Sequence, residues 1–431
     1  MARQQGEGSA LRLPRSGEFP ALWISEAAST VGDQLAKVAV ALLVFDRTGS
    51  AGWAGAAYAA TFLAPLLVGP LLAGLADRYP RRALMVICCT LQGLIIAVMA
   101  IPGVPLLVLL AGVMCVAVLQ IPVKGAQGAT ILHVLSDYRV DHHGIAPDDD
   151  ARMALNGAGR ARLLLVREVG QLAGLGGGAA VVLAIGTTWA LVIDAVTFAV
   201  AAVVLRVWLR ARPASAPGTS TGFGAFAELG GQLRAFGRQV RHDGLTRALV
   251  VAVALIGFTA APDAVVVPLA DELGAGRWAV GWLLAADCVG FIAGSTWLER
   301  QIGDRKQRLI VPLALVSMIP LAAFWVSLHS LAVVLALLIV SGFGATYYSP
   351  AVATLTERVD GGIAGTTNGL INTLLRASQG IGALTAGILA EVSSAVMAVA
   401  ILGTTGVLLT GVCSVQWRRS NVLLQPVRRP A

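Results

Sequence analysis

The stretch Ala73-Gly74-Leu75-Ala76-Asp77-Arg78-Tyr79-Pro80-Arg81-Arg82 decides how this chain folds. It is a short, mostly basic segment between two apolar runs, 52–72 and 83–101, neither of which contains an Asp, Glu, Lys or Arg. Each run is about the twenty residues a helix needs to cross the hydrocarbon core of a bilayer. A connection this short forces two antiparallel membrane helices and leaves the arginines at one membrane surface.

The rest of the chain repeats the pattern. With 56% hydrophobic and 13% charged residues, the 431-residue chain is too apolar for an ordinary soluble domain. Twelve apolar spans fit, at about 20–45, 52–76, 83–102, 104–134, 155–185, 187–208, 247–270, 277–298, 309–328, 330–355, 364–391 and 394–416. Spans four and five exceed a bilayer's need, so their ends are expected to tilt or project into water. The expected fold is therefore an all-α membrane protein of twelve transmembrane helices. The net charge of +8 does not point to nucleic acid, because the basic residues sit in loops. They concentrate in the N-terminal tail, the 77–82 loop, 209–247, 299–308 and the C-terminal tail, while the opposite loops carry only Arg47 and Arg277. Both termini are thus expected in the cytoplasm. Residues 1–18 are polar, and no cleaved signal peptide is expected. Cys88, Cys89, Cys115, Cys288 and Cys413 all lie in apolar spans without C-x-x-C spacing, which suits packing better than disulfides or ligands. Richness in Arg, Ala and Gly suggests a bacterial gene, hence the bacterial inner membrane.

An internal repeat divides the chain. Pro122 is followed by Asn156-Gly157 and Arg167, and Pro350 by Asn368-Gly369 and Arg376. The Pro-to-Asn distances are 34 and 18 residues, and the difference of 16 matches Tyr138–Met153, read as an insertion in the first half. The expected domains are a six-helix bundle over 1–209, a cytoplasmic linker over 210–245 with a basic amphipathic segment suited to anionic headgroups, and a second bundle with its tail over 246–431.

The 73–82 segment resembles the GxLaDRxGRR loop between the second and third helices of the major facilitator superfamily. Asp77, Arg78, Arg81 and Arg82 match, while Ala73 and Pro80 replace its glycines. Lys124-Gly-Ala-Gln127-Gly128-Ala129-Thr130 resembles the RxxQGxgaa motif of proton-coupled members, with Lys124 in the Arg position. Gly170, Gly174 and Gly178 resemble the exporters' gxxxGPxxGG motif, with Leu175 in place of Pro. Gly32-Asp33, Leu43 to Ser50 and Ala190 to Phe198 are similar to the branch containing macrolide-efflux and enterobactin-exporter proteins, although Asp194 stands where that branch usually has Asn. The resemblance implies two pseudo-symmetric six-helix bundles and a substrate site near the midplane.

Polar residues inside the spans mark candidate sites, because a charge in hydrocarbon needs a partner or a wet cavity. Glu26, Ser29, Thr30, Asp33 and Lys37 form one stripe at helical spacing, and Asp33 and Lys37 are four apart and can pair locally. Asp33, Glu26 and Lys124 are the proton-coupling candidates, with Asp33 first and Lys37 or Lys124 as its partner. Alternatively, Glu26 lies shallow and Lys124 snorkels to an interface. The cavity candidates are Lys37, Gln127, Arg167, Glu168, Gln171, Asp263, Asp287, Asn372, Arg376 and Gln379, and Asp194 is expected in a structural ion pair. Asp77, Arg78, Arg81 and Arg82 are expected to latch the cytoplasmic side.

No G-x-x-x-x-G-K-[ST] or H-E-x-x-H occurs, so neither ATP drive nor metal-dependent hydrolysis is indicated. His142, His143 and Asp148–Asp150 suit a solvated loop better than a metal site. The expected function is proton-driven export of hydrophobic or amphipathic small molecules. No cofactor and no enzyme activity are expected, and the chain is expected to be a monomer whose partners are substrate, protons and lipid. The alternatives are an importer or uniporter of an anionic solute held by Arg167 and Arg376, and a non-transporting membrane sensor or assembly partner.

Overall fold

A computed structural model of the chain describes residues 17–72, 75–143, 149–212, 223–301, 305–326, 330–359 and 364–423. All regular structure among them is helical. The long helices are α1 (Glu18–Thr48), α2 (Ala51–Leu72), α3 (Arg81–Met99) and α4 (Leu106–His143). Asp149–Trp208 runs as one element but leaves helical geometry at Gly186, which divides it into α5 (149–185) and α6 (187–208). After a linker helix, Phe223–His242, come α7 (Gly244–Thr259) and α8 (Trp278–Glu299). Then follow α9 (Ile310–Ala322), α10 (Leu331–Ala345, continued by Tyr348–Val359), α11 (Ala364–Val392) and α12 (Ala395–Leu423).

The breaks have local causes. Gly186 has φ +85° and Gly49 φ +63°, left-handed conformations that glycine adopts without a Cβ clash. Gly49 closes α1, its N–H donating to the Phe45 carbonyl at 2.7 Å. Asp243 begins α7 as its N-cap, accepting from the backbone N–H of Leu245 at 3.0 Å and the Thr246 hydroxyl at 2.5 Å. α4 continues to His143, past the expected end of its span at 134. Within the 138–153 insertion, 138–143 continue α4 and 149–153 begin α5, while 144–148 lie outside the described residues.

Among the described residues, ten helices are long and apolar enough to cross a membrane. The other two arms, most of α5 and all of α11, carry polar side chains along their length, among them Arg162 and Arg167 on one and Asn372 and Arg376 on the other. Leu67, Leu94, Leu107, Val207 and Leu408 stand exposed, as do Trp189, Trp208, Trp278, Trp282 and Trp325. On a water-soluble protein so much bare apolar surface would drive association; on a membrane protein it is the lipid face.

The chain forms two compact units. One comprises Met1–Ala39 with Leu67–Phe226, the other Val40–Leu66 with Ala227–Ala431. α1 and α2 therefore each contribute to both. In the first unit Phe19, Leu22, Met85, Leu135 and Phe198 are fully buried, and in the second Leu249, Leu255, Phe324 and Tyr347. Helices in lipid associate by close packing rather than by hydrophobic expulsion, which favours small residues at crossings. α8 and α10 show this: a Cβ at Gly290 would lie 2.0 Å from the Ile339 carbonyl oxygen, and one at Gly342 2.1 Å from that of Asp287.

Candidate functional site

In the first unit α1 and α4 meet through their polar faces. On α1, Ser25, Glu26, Ser29, Thr30 and Gln34 are buried, and Asp33 and Lys37 half-buried. On α4, Gln120, Lys124 and Gln127 recur at intervals of four and three residues, which places them on one helix face. The helices match in antiparallel register. Gln127 Nε2 donates to the Leu22 carbonyl at 3.4 Å, Lys124 Nζ forms an ion pair with Glu26 Oε2, and Gln120 Nε2 donates to Asp33 Oδ2 at 2.9 Å.

This pairing revises the expectation for Lys124. Its carboxylate partner is Glu26, not Asp33. The reason is helical rise: Glu26 and Asp33 are two turns apart, about 10 Å, so one ammonium cannot serve both closely. Glu26 is 5% exposed, and a buried carboxylate is tolerable there because Lys124 pairs with it. Asp33 takes the neutral amide of Gln120, and the charges of Lys37, Lys124, Glu26 and Arg167 also reach it. Arg167 of α5 acts on Glu26 as well, although its side chain is exposed. Gln171 is half-buried on the same helix, and the side chain of Glu168 lies outside the described residues.

Gly170, Gly174 and Gly178 pack α5 directly on α1. Cβ atoms at these positions would lie 3.4 Å from Thr30, 2.7 Å from Gln34 and 3.5 Å from Val38. Asp194 of α6 was expected in an ion pair. It sits instead with the Thr197 hydroxyl, against α1 at Gly32.

In the second unit Tyr58 donates its hydroxyl to Asp263 Oδ2 at 3.0 Å, and the charge of Asp263 reaches Asp287. Both carboxyls are half-buried. Asn372 and Arg376 of α11 are exposed and Gln379 half-buried, on one stripe. Arg277 forms a forked pair with Asp46 at 2.9 and 2.7 Å. Glu391 accepts from the Ser50 hydroxyl at 2.8 Å and the Gly52 N–H at 2.9 Å, capping α2.

At the basic loop, Arg81 donates from Nη1 to the Ala129 carbonyl at 3.3 Å and meets the His133 ring at 3.2 Å. Arg78 is exposed and Arg82 half-buried; the side chain of Asp77 lies outside the described residues. Among the described residues no group of three or more His, Cys, Asp or Glu side chains could hold a metal ion.

Sequence reasoning missed Gln120 and Tyr58. Gln120 had a signal, since it precedes Lys124 by one helical turn on the same polar face. Tyr58 had none, as an aromatic in an apolar span is ordinary there.

The family model described as "Major Facilitator Superfamily" matches residues 157–383, more than half of the chain. No curated protein matches. Several solved structures share the fold. The nucleoside transporter NupG aligns with TM-score 0.68 at 13% identity, covering 93% of this chain and 99% of that one. A bacterial homologue of the human lysosomal transporter Spinster, in an inward-facing and occupied conformation, aligns with TM-score 0.68 at 12% identity, covering 94% and 96%. A structure from work on substrate recognition in proton dependent oligopeptide transporters aligns with TM-score 0.68 at 13% identity, covering 94% and 99%.

Proposed function

We propose a proton-coupled exporter: the chain belongs to the Major Facilitator Superfamily, a multi-pass membrane transporter rather than an enzyme, and its buried charges suit proton-driven efflux of hydrophobic or amphipathic small molecules by alternating access. In this reading the protein lies in a bacterial inner membrane with both termini in the cytoplasm.

The observation that carries the reading is the division of labour between two carboxyls on α1. Glu26 is bound to a cation, Lys124, and both are held by that pairing. Asp33 is bound to an amide, and a Gln N–H can donate to a carboxylate oxygen or, more weakly, to the carbonyl oxygen of a protonated acid. Asp33 can therefore change protonation state without losing its partner, while the fixed pair beside it responds to the change of charge. A protonated Asp33 favours one arrangement of the helices and an ionised Asp33 another, and the gradient sets which state is loaded from which side. The glycine face of α5 against α1 supports export through its resemblance to the exporters' motif. Hydrophobic cargo would need only weak, broad contacts, which suits an apolar protein with few aromatic residues.

Accumulation of fluorescent dyes and antibiotics in cells expressing the wild type, Asp33→Asn or Lys124→Ala, with and without a protonophore, tests this. Lower accumulation in the wild type, abolished by the protonophore and by Asp33→Asn, is the expected result. Gradient-driven uptake of an organic anion, with no dye expelled, would replace export by import.

A further inference from the structure

A second carboxyl lies against the same helix. Asp194 has 0% of its surface exposed, and its Oδ2 has no hydrogen-bond partner among the described residues. Its Oδ1 is 3.2 Å from the Thr197 hydroxyl, which also donates to the Asp194 backbone carbonyl at 2.8 Å. A hydroxyl has one proton to give, so the shorter bond takes most of it. No cation pairs with Asp194 among the described residues, and with the helices in this arrangement an ionised carboxylate so enclosed is too costly to persist.

The carboxyl reaches this place because of one glycine. A Cβ at Gly32 would lie 2.1 Å from Thr197 Oγ1 and 2.2 Å from Asp194 Oδ1. Any side chain at 32 would push α6 away from the backbone immediately before Asp33. The ionisable group that acts on Asp194 from α1 is Asp33. From α3, which packs on α6 where Gly93 meets Ala195 and Phe198, the titratable groups are Cys88 and Cys89. Cys89 is itself within reach of Asp33, Glu26 and Lys124.

We propose that Asp194 is a second proton-carrying carboxyl of the coupling cluster, so that the chain loads two protons, one on Asp33 and one on Asp194. The proposal rests on the proton-coupled reading above. Two carboxyls beside one helix cannot both ionise without repulsion, so they titrate as a pair. α1 belongs to both compact units, and a shift of α1 along α6 would move Gly32 off the Asp194 carboxyl. The transfer involves a proton alone. The O–H bond on Asp194 breaks, a new one forms on water or on the Asp33 carboxylate, and the negative charge is left on Asp194.

Proton uptake per chain, counted with a pH electrode as the purified protein is acidified from alkaline to acidic pH, tests the proposal without a substrate. Asp194→Asn is expected to lower uptake by one proton, Asp33→Asn by one, and the double variant by two. Infrared difference spectra of the wild type should show two protonated-carboxyl carbonyl bands that come and go with pH, one of them missing in Asp194→Asn. Uptake in Asp194→Asn equal to the wild type would overturn the proposal, since Asp194 would then be a permanently neutral structural acid. If Asp194→Asn does not fold, Thr197→Val decides: the second titrating band should persist with an altered frequency, and no change in either band would refute the assignment. Loss of a proton in Asp194→Asn but not in Asp33→Asn would sink the coupling role of Asp33 while leaving the Asp194 site standing.

Discussion

Replacing Lys124 by Gln isolates the Glu26–Lys124 pair. The Glu26 side chain is 6% exposed and that of Lys124 36%. Removing one member of a buried pair costs about 3–5 kcal/mol, because the other charge is left stranded. Lys124 is partly hydrated, so part of its charge is already screened and the loss should fall at or just below the bottom of that range, at about 2–3 kcal/mol. Glu26→Gln should cost less, since it strands the better-hydrated partner. The double variant Glu26→Gln, Lys124→Gln removes both charges and leaves two amides able to bond each other, so it should recover to within about 1 kcal/mol of the wild type. Equilibrium unfolding of the four proteins in one detergent, followed by tryptophan fluorescence, closes the thermodynamic cycle. A coupling energy above about 1 kcal/mol is expected. Single effects that add to within about 0.5 kcal/mol would refute the reasoning, because the two groups would then not be each other's partner in the membrane-inserted protein.

Gly290→Ala should destabilise by about 1–3 kcal/mol, because its Cβ would meet the Ile339 carbonyl at 2.0 Å, whereas Gly128→Ala, with nothing within 4 Å, should be neutral or stabilising by about 0.5–1 kcal/mol; thermal unfolding of both checks this. Asp243→Ala should cost about 1 kcal/mol through loss of the α7 cap. Slight burial works against the Asp243 charge, but bonds from Thr246 and from the backbone N–H groups of Leu245 and Thr246, with the charge of Arg358, hold its carboxyl below the ordinary range. Its contribution is therefore complete above the unfolded-state pKa of about 3.9 and fades as pH falls toward the folded value, so the wild type should lose its advantage over Asp243→Ala in acid unfolding curves. Arg277→Gln breaks an exposed forked pair with Asp46 and should cost less than about 1 kcal/mol, a difference that high salt should erase.

The twelve helices were legible because a bilayer imposes one length on every span, and the break at Gly186 because two spans fit only with a turn there. Charged residues in those spans were legible as a set, since hydrocarbon makes each one expensive. Their partners were not. Periodicity places Glu26 and Asp33 on one face of α1 and Lys124 on α4, but which carboxyl faces the lysine depends on the axial register of two antiparallel helices, and a slip of two turns exchanges them. The same limit hid Tyr58 behind Asp263 and made Asp194 look like half of an ion pair. Gly32 could have corrected the last point. A glycine beside an intramembrane carboxylate marks a place where another element comes close, and that element is α6.

The position of Asp33 along α1 gives its charge leverage. The first unit ends at Ala39 and the second takes up the same helix at Val40, so Asp33 lies less than two turns before the helix passes from one unit to the other. Between Asp33 and Thr48 α1 contains neither glycine nor proline, and nothing in its sequence offers a hinge. A displacement started at Gly32–Asp33 is therefore carried along a stiff rod to Asp46, about 20 Å away, where Arg277 holds the far end. On the other side of the carboxyl, at Gly32, α1 touches Asp194 and Thr197. In the proton-coupled reading proposed above, a helix that is stiff beyond Asp33 converts a local change of charge there into movement of the whole rod, which is what coupling a proton to a conformational exchange requires.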